Sequence, residues 1–385
     1  MAKTVAIICE YNPFHMGHKH QIDKIKAEIP DATVVAIMSG NVTQRGEFSI
    51  FDKYARAKSA VLCGVNAVYE MPYPYSCASA EVFARAGVAI AKEIGANYLC
   101  FGSESDNLDA LWKVANAMDS AEFEGAISKA LKDKSISYSS ARDAALSYLG
   151  IDAPKTSNDI LGVEYLRAIS QIAPDIVPYP IKRVGEGYKS ENIGEFMSAS
   201  AIRKSFYDGN GFLSMPNEAV DALKDENHLD LDRSNDFLFR SILMMDPLQI
   251  EQSYDVPCGC GYYVSDLAKK CSGAHEFFAS LSSKTYTSSR LRRIVMYACT
   301  GVKNVEKLPT YTQLLAVDSI GRAHLKGVKK LTQITVITKH SDSKKLNQSD
   351  LEIYTLGKKT DELYYTLLNR PVCANEAYKK TTIII

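Results

Sequence analysis

Two histidines, His15 and His18, bracket Met16 and Gly17 directly after the turn-forming run Tyr11, Asn12, Pro13 and Phe14. An imidazole pair at such a place has three possible uses: a metal clip, a filled core position, or the working end of a nucleotide site. A metal needs a third ligand, which this short stretch does not supply. A core position is disfavoured because Asn-Pro-Phe-His is turn chemistry rather than an apolar face. The third use fits best. An apolar run, "TVAIIC" (4–9), feeds the turn, and a helical pattern (18–28) follows it. A helix start offers free N–H groups and a positive dipole end, which favour phosphate. Gly17 lets the backbone approach a base or phosphate closely. Two imidazoles there can donate to phosphate oxygens as charge builds in the transition state.

The elements around this turn are those of an α/β protein. "ATVVAIMSG" (32–40), "VNAVYEMP" and "ANYLCFGSE" read as further buried strands, and 48–64 and 79–95 as the helices between them. Strands alternating with helices of this length predict a parallel, Rossmann-like sheet with right-handed crossovers. Ligands then bind beyond the carboxyl ends of the strands, where the polar clusters after strands one, two and four would gather. Farther on, 157–170 reads as a capped helix, "DIVPYPIKRVGEGY" as a strand with Arg183 near its end, and 196–209 as another helix. Beyond about residue 215 the alternation stops. Helical segments follow and end in "YTQLLAVD", "LTQITVITK" and a Lys-rich close. The expected division is a nucleotide-binding catalytic domain over 1–210 and a mainly helical, basic region over 211–385.

The 385 residues carry no net charge, but the balance is uneven. Residues 1–250 hold 25 Lys and Arg against 33 Asp and Glu, and residues 251–385 hold 20 against 12. That asymmetry points the tail towards an acidic partner. In "SSRLRRIVMY" a helix would put Arg290 and Arg293 on one stripe with Arg292 round the side, a suitable grip for an RNA backbone. Leu291, Ile294, Val295 and Ala298 would face the protein. No run reaches the roughly 20 apolar residues of a membrane helix, so no membrane partner is expected. The start, "MAKTVAIICEYNPF", reads as a strand rather than a secretion signal. Nine scattered cysteines suit free thiols in a reducing cytosol. The tight pair Cys258-Gly259-Cys260 has no second pair or histidine at metal spacing, and no metal site is expected.

The His15-Met16-Gly17-His18 turn resembles the HxGH signature of the nucleotidyltransferase superfamily. "MSASAIR" (197–203) resembles the Ser-rich, Arg-ending motif that completes such sites, with Ser198 and Ser200 donating at a helix start and Arg203 reaching phosphate. "SGNVTQRGE", "SAEVFARAG", "FGSES", "SNDILGVEYL", "IKRVGEGY" and "YTSSRLRRIV" occur in that order. Together they resemble the tRNA(Met) cytidine acetate ligase family over residues 1 to about 300. Met16, Phe48 and Asp159 depart from that family's usual Asn, Pro and Asn. The resemblance implies ATP, as its magnesium complex, against Ile7, Ile8, Cys9, Glu10, Tyr11, Asn12, Pro13, Phe14, His15, Met16, Gly17, His18, Lys19 and His20. Gly102, Asn158, Arg183, Ser198, Ser200 and Arg203 would complete the ATP site, with His15, His18 and Lys19 as its catalytic groups. It implies acetyl-adenylate formation and acetylation of N4 of the wobble cytidine of elongator tRNA(Met), releasing AMP and pyrophosphate.

Attack of acetate on the α-phosphorus needs positioning and charge neutralisation more than a base, which suits a site of His, Ser, Lys and Arg. Asn41, Gln44 and Arg45, at the tip of the second strand, are candidates to hold acetate or cytidine. Two other readings stay open on the residues alone. One is a nucleotidyltransferase that adenylylates a small phosphorylated metabolite. The other is a non-catalytic RNA-binding protein that keeps an ATP pocket.

Overall fold

The computed structural model describes residues 3–133, 135–184, 196–305, 308–373 and 375–385. Residues 185–188, the end of the "IKRVGEGY" stretch, lie outside the described residues.

The expected alternation is present. Strand β1 (Thr4–Cys9) leads into helix α1 (Met16–Glu28), β2 (Thr33–Ser39), α2 (Lys53–Leu62), β3 (Ala67–Met71), α3 (Ala80–Glu93) and β4 (Tyr98–Ser103). A helical stretch precedes helix Ser157–Ile172 and β5 (Val177–Lys182). β1 pairs in parallel with both β2 and β4, β2 with β3, and β4 with β5. In the resulting order β5-β4-β1-β2-β3 all five strands are parallel and the order of strand addition reverses between β1 and β4. The carboxyl ends of those two strands therefore flank a crevice.

Side chains along β1 alternate between two cores, as a sheet covered on both faces requires. Ala6 and Ile8 join α3 and helix Ser157–Ile172 in one core. Val5, Ile7 and Cys9 join α1 and α2 in the other. Asp52 caps α2 by accepting from the Tyr54 and Ala55 N–H groups, and Ser79 caps α3 by accepting from that of Val82. The Asp52 cap starts α2 later than the apolar pattern from residue 48 predicts.

From residue 211 the chain is helical as far as helix Ser288–Thr300, and this part has its own core, which includes Phe239, Phe277, Leu291 and Val295. The tail then returns to the first sheet. β6 (Tyr311–Val317) runs antiparallel to β3, with β7 (Thr335–Ile337) and β8 (Ile383–Ile384) parallel to β6. Helix Gln348–Thr366 sends Asp361 back to the start of α2, where its carboxylate accepts from Lys53 Nζ at 2.7 Å and from Asn41 Nδ2 at 2.9 Å. The front and back of the chain are thus joined through one sheet and one buried polar cluster. Among the described residues no helix is long and apolar enough to cross a membrane.

Candidate nucleotide site

The turn after β1 is held from several sides. Tyr11 adopts φ +45° and is buried with Phe14, their ring centroids 4.9 Å apart. Asn12 Oδ1 accepts from the Ile50 N–H at 2.9 Å, and the Asn12 carbonyl accepts from Arg203 Nη1 at 2.9 Å. Glu10 accepts from the Gln44 N–H through Oε1 at 2.8 Å.

His15 caps α1, an unusual task for an imidazole. Its Nδ1 accepts from the Gly17 N–H at 3.1 Å, while His18 Nδ1 accepts from the His15 N–H at 3.3 Å. A nitrogen that accepts a backbone N–H carries no proton of its own, so each neutral ring holds its proton on Nε2. Two Nε2–H donors are thereby preset. His18 keeps part of its edge at the surface, but its ring is enclosed by Tyr11, Phe14 and His15. Burial pushes His15 down to about 3, with the charges of Arg183 and Arg203 acting in the same direction. His18 is also held well below the ordinary histidine value, first by burial and then by His15 and Arg183. Both rings are neutral donors at physiological pH.

They open onto a cleft that His20, Gln21, Gly102, Lys182, Arg183, Phe196, Met197 and Ser198 also line. Gly102 ends β4 beneath Arg183: a Cβ there would stand 3.1 Å from Arg183 Cγ, so glycine lets this arginine lie across the strand end. Ser198 caps helix Ala199–Tyr207 by accepting from the Ala201 N–H, and its hydroxyl is 3.0 Å from that of Ser200. Arg203 lies one turn into that helix. The cleft is therefore bordered by two helix starts, Arg183, Lys182 and two imidazole donors, with Arg203 behind the turn on the Asn12 carbonyl, an arrangement suited to a polyphosphate.

Asn158 stands one step back. Its Nδ2 donates to Glu104 Oε1 at 2.6 Å, and the same carboxylate holds Thr156 Oγ1 at 2.9 Å and Arg183 Nε at 3.5 Å. Asp159 is buried and accepts from Ser103 Oγ and from the Glu104 and Ser105 N–H groups, fixing the strand-end loop. Lys19 forms an ion pair with Asp23 on the flank of α1 and is absent from the cleft lining. Sequence reasoning missed Glu104 as an organiser, although it lies inside "FGSES". It also missed Ser214, whose carbonyl accepts from the Met16 N–H and whose hydroxyl accepts from the Met197 N–H, both at 2.9 Å. No local pattern marks that serine.

The candidates at the second strand's tip are placed differently from one another. Asn41 is buried and uses both amide atoms inside the fold, donating to Asp361 and accepting from the Lys53 N–H at 2.8 Å. It is not presented to a ligand, contrary to expectation, because α2 and the returning C-terminal helix compete for it. Gln44 bridges Glu10 and the Ala78 carbonyl. Arg45 is half-buried.

The basic helix also departs from an open stripe. Arg290 pairs with Asp255 at 2.7 Å, and Arg292 pairs with Glu47 at 3.3 Å and lies over the Phe278 ring. Arg293, expected beside Arg290 at the surface, is buried under the loop that carries Gly46. Leu291, Ile294 and Val295 face inward as expected. Among the described residues no group of three or more His, Cys, Asp or Glu is placed to hold a metal ion.

A crevice at the strand reversal, bordered by an HxGH turn, is the arrangement of a nucleotidyltransferase. The chain matches the HIGH Nucleotidyl Transferase family over residues 2–380. It is 34% identical over 368 residues to the tRNA(Met) cytidine acetate ligase of Acetivibrio thermocellus, covering 88% of this chain and 89% of that protein. The protein of the same name from Caldicellulosiruptor saccharolyticus is 36% identical over 355 residues, covering 88% and 87%. This chain belongs to the tRNA(Met) cytidine acetate ligase family. Apo Thermotoga maritima TmcAL superposes with a TM-score of 0.92 at 26% identity, and the same protein bound with alpha-thio ATP with 0.89, each covering 100% of both chains.

Proposed function

We propose that this protein ligates acetate to N4 of the wobble cytidine of elongator tRNA(Met) in the cytoplasm, converting ATP to AMP and pyrophosphate. The observation that carries the reading is the pair of neutral imidazoles that line the cleft at the strand reversal, each with its Nδ1 already taken by a backbone N–H. The names of the relatives supply the reaction, and the alpha-thio ATP complex of the Thermotoga maritima protein supports a nucleotide in this cleft.

ATP would lie with its phosphates against His15, His18, Ser198, Arg183 and Arg203, and magnesium arriving with the nucleotide would add charge neutralisation there. A carboxylate oxygen of acetate forms a bond to the α-phosphorus as the bond from that phosphorus to pyrophosphate breaks. Negative charge grows on the bridging and leaving oxygens, where the Nε2–H groups and guanidinium forks donate. Cytidine N4 then bonds to the acetyl carbon, AMP departs with the former acetate oxygen, and the amine proton passes to solvent. Residues 1–210 hold the nucleotide, and the basic residues within 211–385 grip the RNA.

Nucleoside mass spectrometry of elongator tRNA(Met) incubated with the protein, ATP and isotope-labelled acetate tests the reading. The expected product is labelled N4-acetylcytidine, with AMP and no ADP. An adenylylated phosphometabolite formed without RNA, and no acetylcytidine, would transfer the chain to metabolite chemistry.

A further inference from the structure

Buried charges are almost always paired, yet Arg293 is not. It is only 8% exposed, and its Nε has no hydrogen-bond partner. Among the described residues its guanidinium forms no hydrogen bond or ion pair, whereas Arg290 and Arg292 on the same helix hold Asp255 and Glu47. Leaving the buried Nε without a partner costs free energy, while the two outer nitrogens reach solvent and stay open to an anion. Retention of the arginine calls for an anion that arrives with a ligand.

The place is built. Gly46, at φ +78°, brings the loop after β2 so close that a Cβ would stand 2.5 Å from the Arg293 backbone nitrogen. One turn on, Tyr297 donates its hydroxyl to the Cys77 carbonyl and packs its ring 5.6 Å from that of Tyr254. The guanidinium charge is felt at the Cys77 thiol and at the Tyr254 and Tyr297 hydroxyls, and that of Glu10 reaches the same thiol. Arg293 therefore sits where the loops after β2 and β3 meet the helical region, and Glu10, at the end of β1, lies within electrostatic reach of the same Cys77 thiol.

We propose that Arg293 binds the carboxylate of acetate and presents it to the nucleotide cleft. The proposal rests on the ligase reading above. Of the three anionic reactants, ATP already has the imidazoles, Ser198, Arg183 and Arg203. The RNA backbone stays hydrated and is met by exposed cations, and Arg293 is buried below that level. A small carboxylate can enter, and the planar fork takes both of its oxygens. The aromatic rings of Tyr254 and Tyr297 offer the methyl group an apolar wall. As one oxygen attacks phosphorus, the other remains on the guanidinium.

Full-length R293K and R293Q proteins test this, with pyrophosphate release measured against acetate, ATP and tRNA, and tRNA binding measured across a salt series. Loss of the fork should raise the acetate KM at least about tenfold in R293K and further in R293Q, with the ATP KM and the tRNA Kd within about twofold. Thermal melts report whether each variant folds. If R293Q does not, R293K keeps the charge and carries the test. An unchanged acetate KM in a folded variant would overturn the assignment. So would a weakened, less salt-dependent tRNA affinity with acetate unaffected. Wild-type protein without acetate-dependent pyrophosphate release would instead refute the ligase reading.

Discussion

The rings of His15 and His18 stack with centroids 3.7 Å apart and planes 28° from parallel, and each takes one backbone N–H through Nδ1. The HxGH turn is thus its own helix cap, and capping is what aims both Nε2–H donors outward. Replacing His18 by Ala removes one donor to the transition state. Turnover at saturating ATP should fall by about 10²–10³, while the missing cap hydrogen bond costs about 1 kcal/mol of stability. Wild-type turnover in a folded H18A protein would refute the catalytic role.

The same burial makes acid a specific threat to the ligand-free protein. Unfolded, each imidazole takes up a proton near 6.5, whereas folded His15 does so only near about 3 and His18 well below its ordinary value. Between those limits the unfolded chain binds more protons, so acid favours it. The stability these two neutral rings contribute is complete above about pH 6.5 and falls as the pH drops, by about 1.4 kcal/mol per pH unit for each histidine. Chemical denaturation from pH 7.5 to 5 should show this decline, and NMR of the two rings should show no protonation over the same range. A ring that titrates near 6.5 in the folded protein would contradict the enclosure.

A third expectation concerns the joint between the two ends of the chain. Lys53 is buried, with Nζ 2.7 Å from both Glu70 and Asp361. Burial alone would pull its ammonium down, but Asp361 and Glu70 together push it above the ordinary lysine value. Lys358, buried nearby, is pulled down to about 8, first by burial and then by Lys53. Changing Asp361 to Asn leaves Lys53 with Glu70 alone and removes the carboxylate that Lys358 pairs with. Breaking a buried pair in this way costs about 3–5 kcal/mol. Because Asp361 also holds Asn41, unfolding should remain one cooperative transition at lower denaturant. An unchanged denaturation midpoint in the variant would show that the cluster does not join the front and back of the chain.

What can be read from the sequence follows from how local each signal is. β1 to β4, α1 and α3 announce themselves through apolar runs punctuated by caps and glycines, and the HxGH turn follows a strand within a few residues. Hydrophobicity places the start of α2 too early because Asp52 and the Asn12–Ile50 hydrogen bond end the loop later than the apolar pattern suggests. The return of β6 beside β3 depends on a partner strand some 240 residues earlier, which no window of sequence contains. Asn41 reads as a ligand-facing residue because its competing partner, Asp361, lies 320 residues away. Arg293 fits an exposed stripe on helical spacing alone. Only the packing of the Gly46 loop turns it inward.

The last expectation separates RNA grip from chemistry. Arg290 and Arg292 keep part of their side chains at the surface but are paired with Asp255 and Glu47. Exposed pairs of this kind contribute little to stability, typically up to about 1 kcal/mol, so both guanidiniums can be released to RNA phosphates. Changing both arginines to Ala should weaken tRNA binding and lower the slope of log affinity against log salt by about one unit for each phosphate no longer neutralised. The ATP KM should not move, because neither residue lines the nucleotide cleft. The carboxylates predict the opposite sign. Asp255→Ala frees Arg290 and removes a negative charge from the RNA face, so tRNA affinity should rise, most clearly at low salt where exposed charges are least screened. Filter binding of elongator tRNA(Met) over a salt series distinguishes the outcomes. If the arginine double variant and Asp255→Ala both leave affinity and slope unchanged, this helix does not meet the RNA.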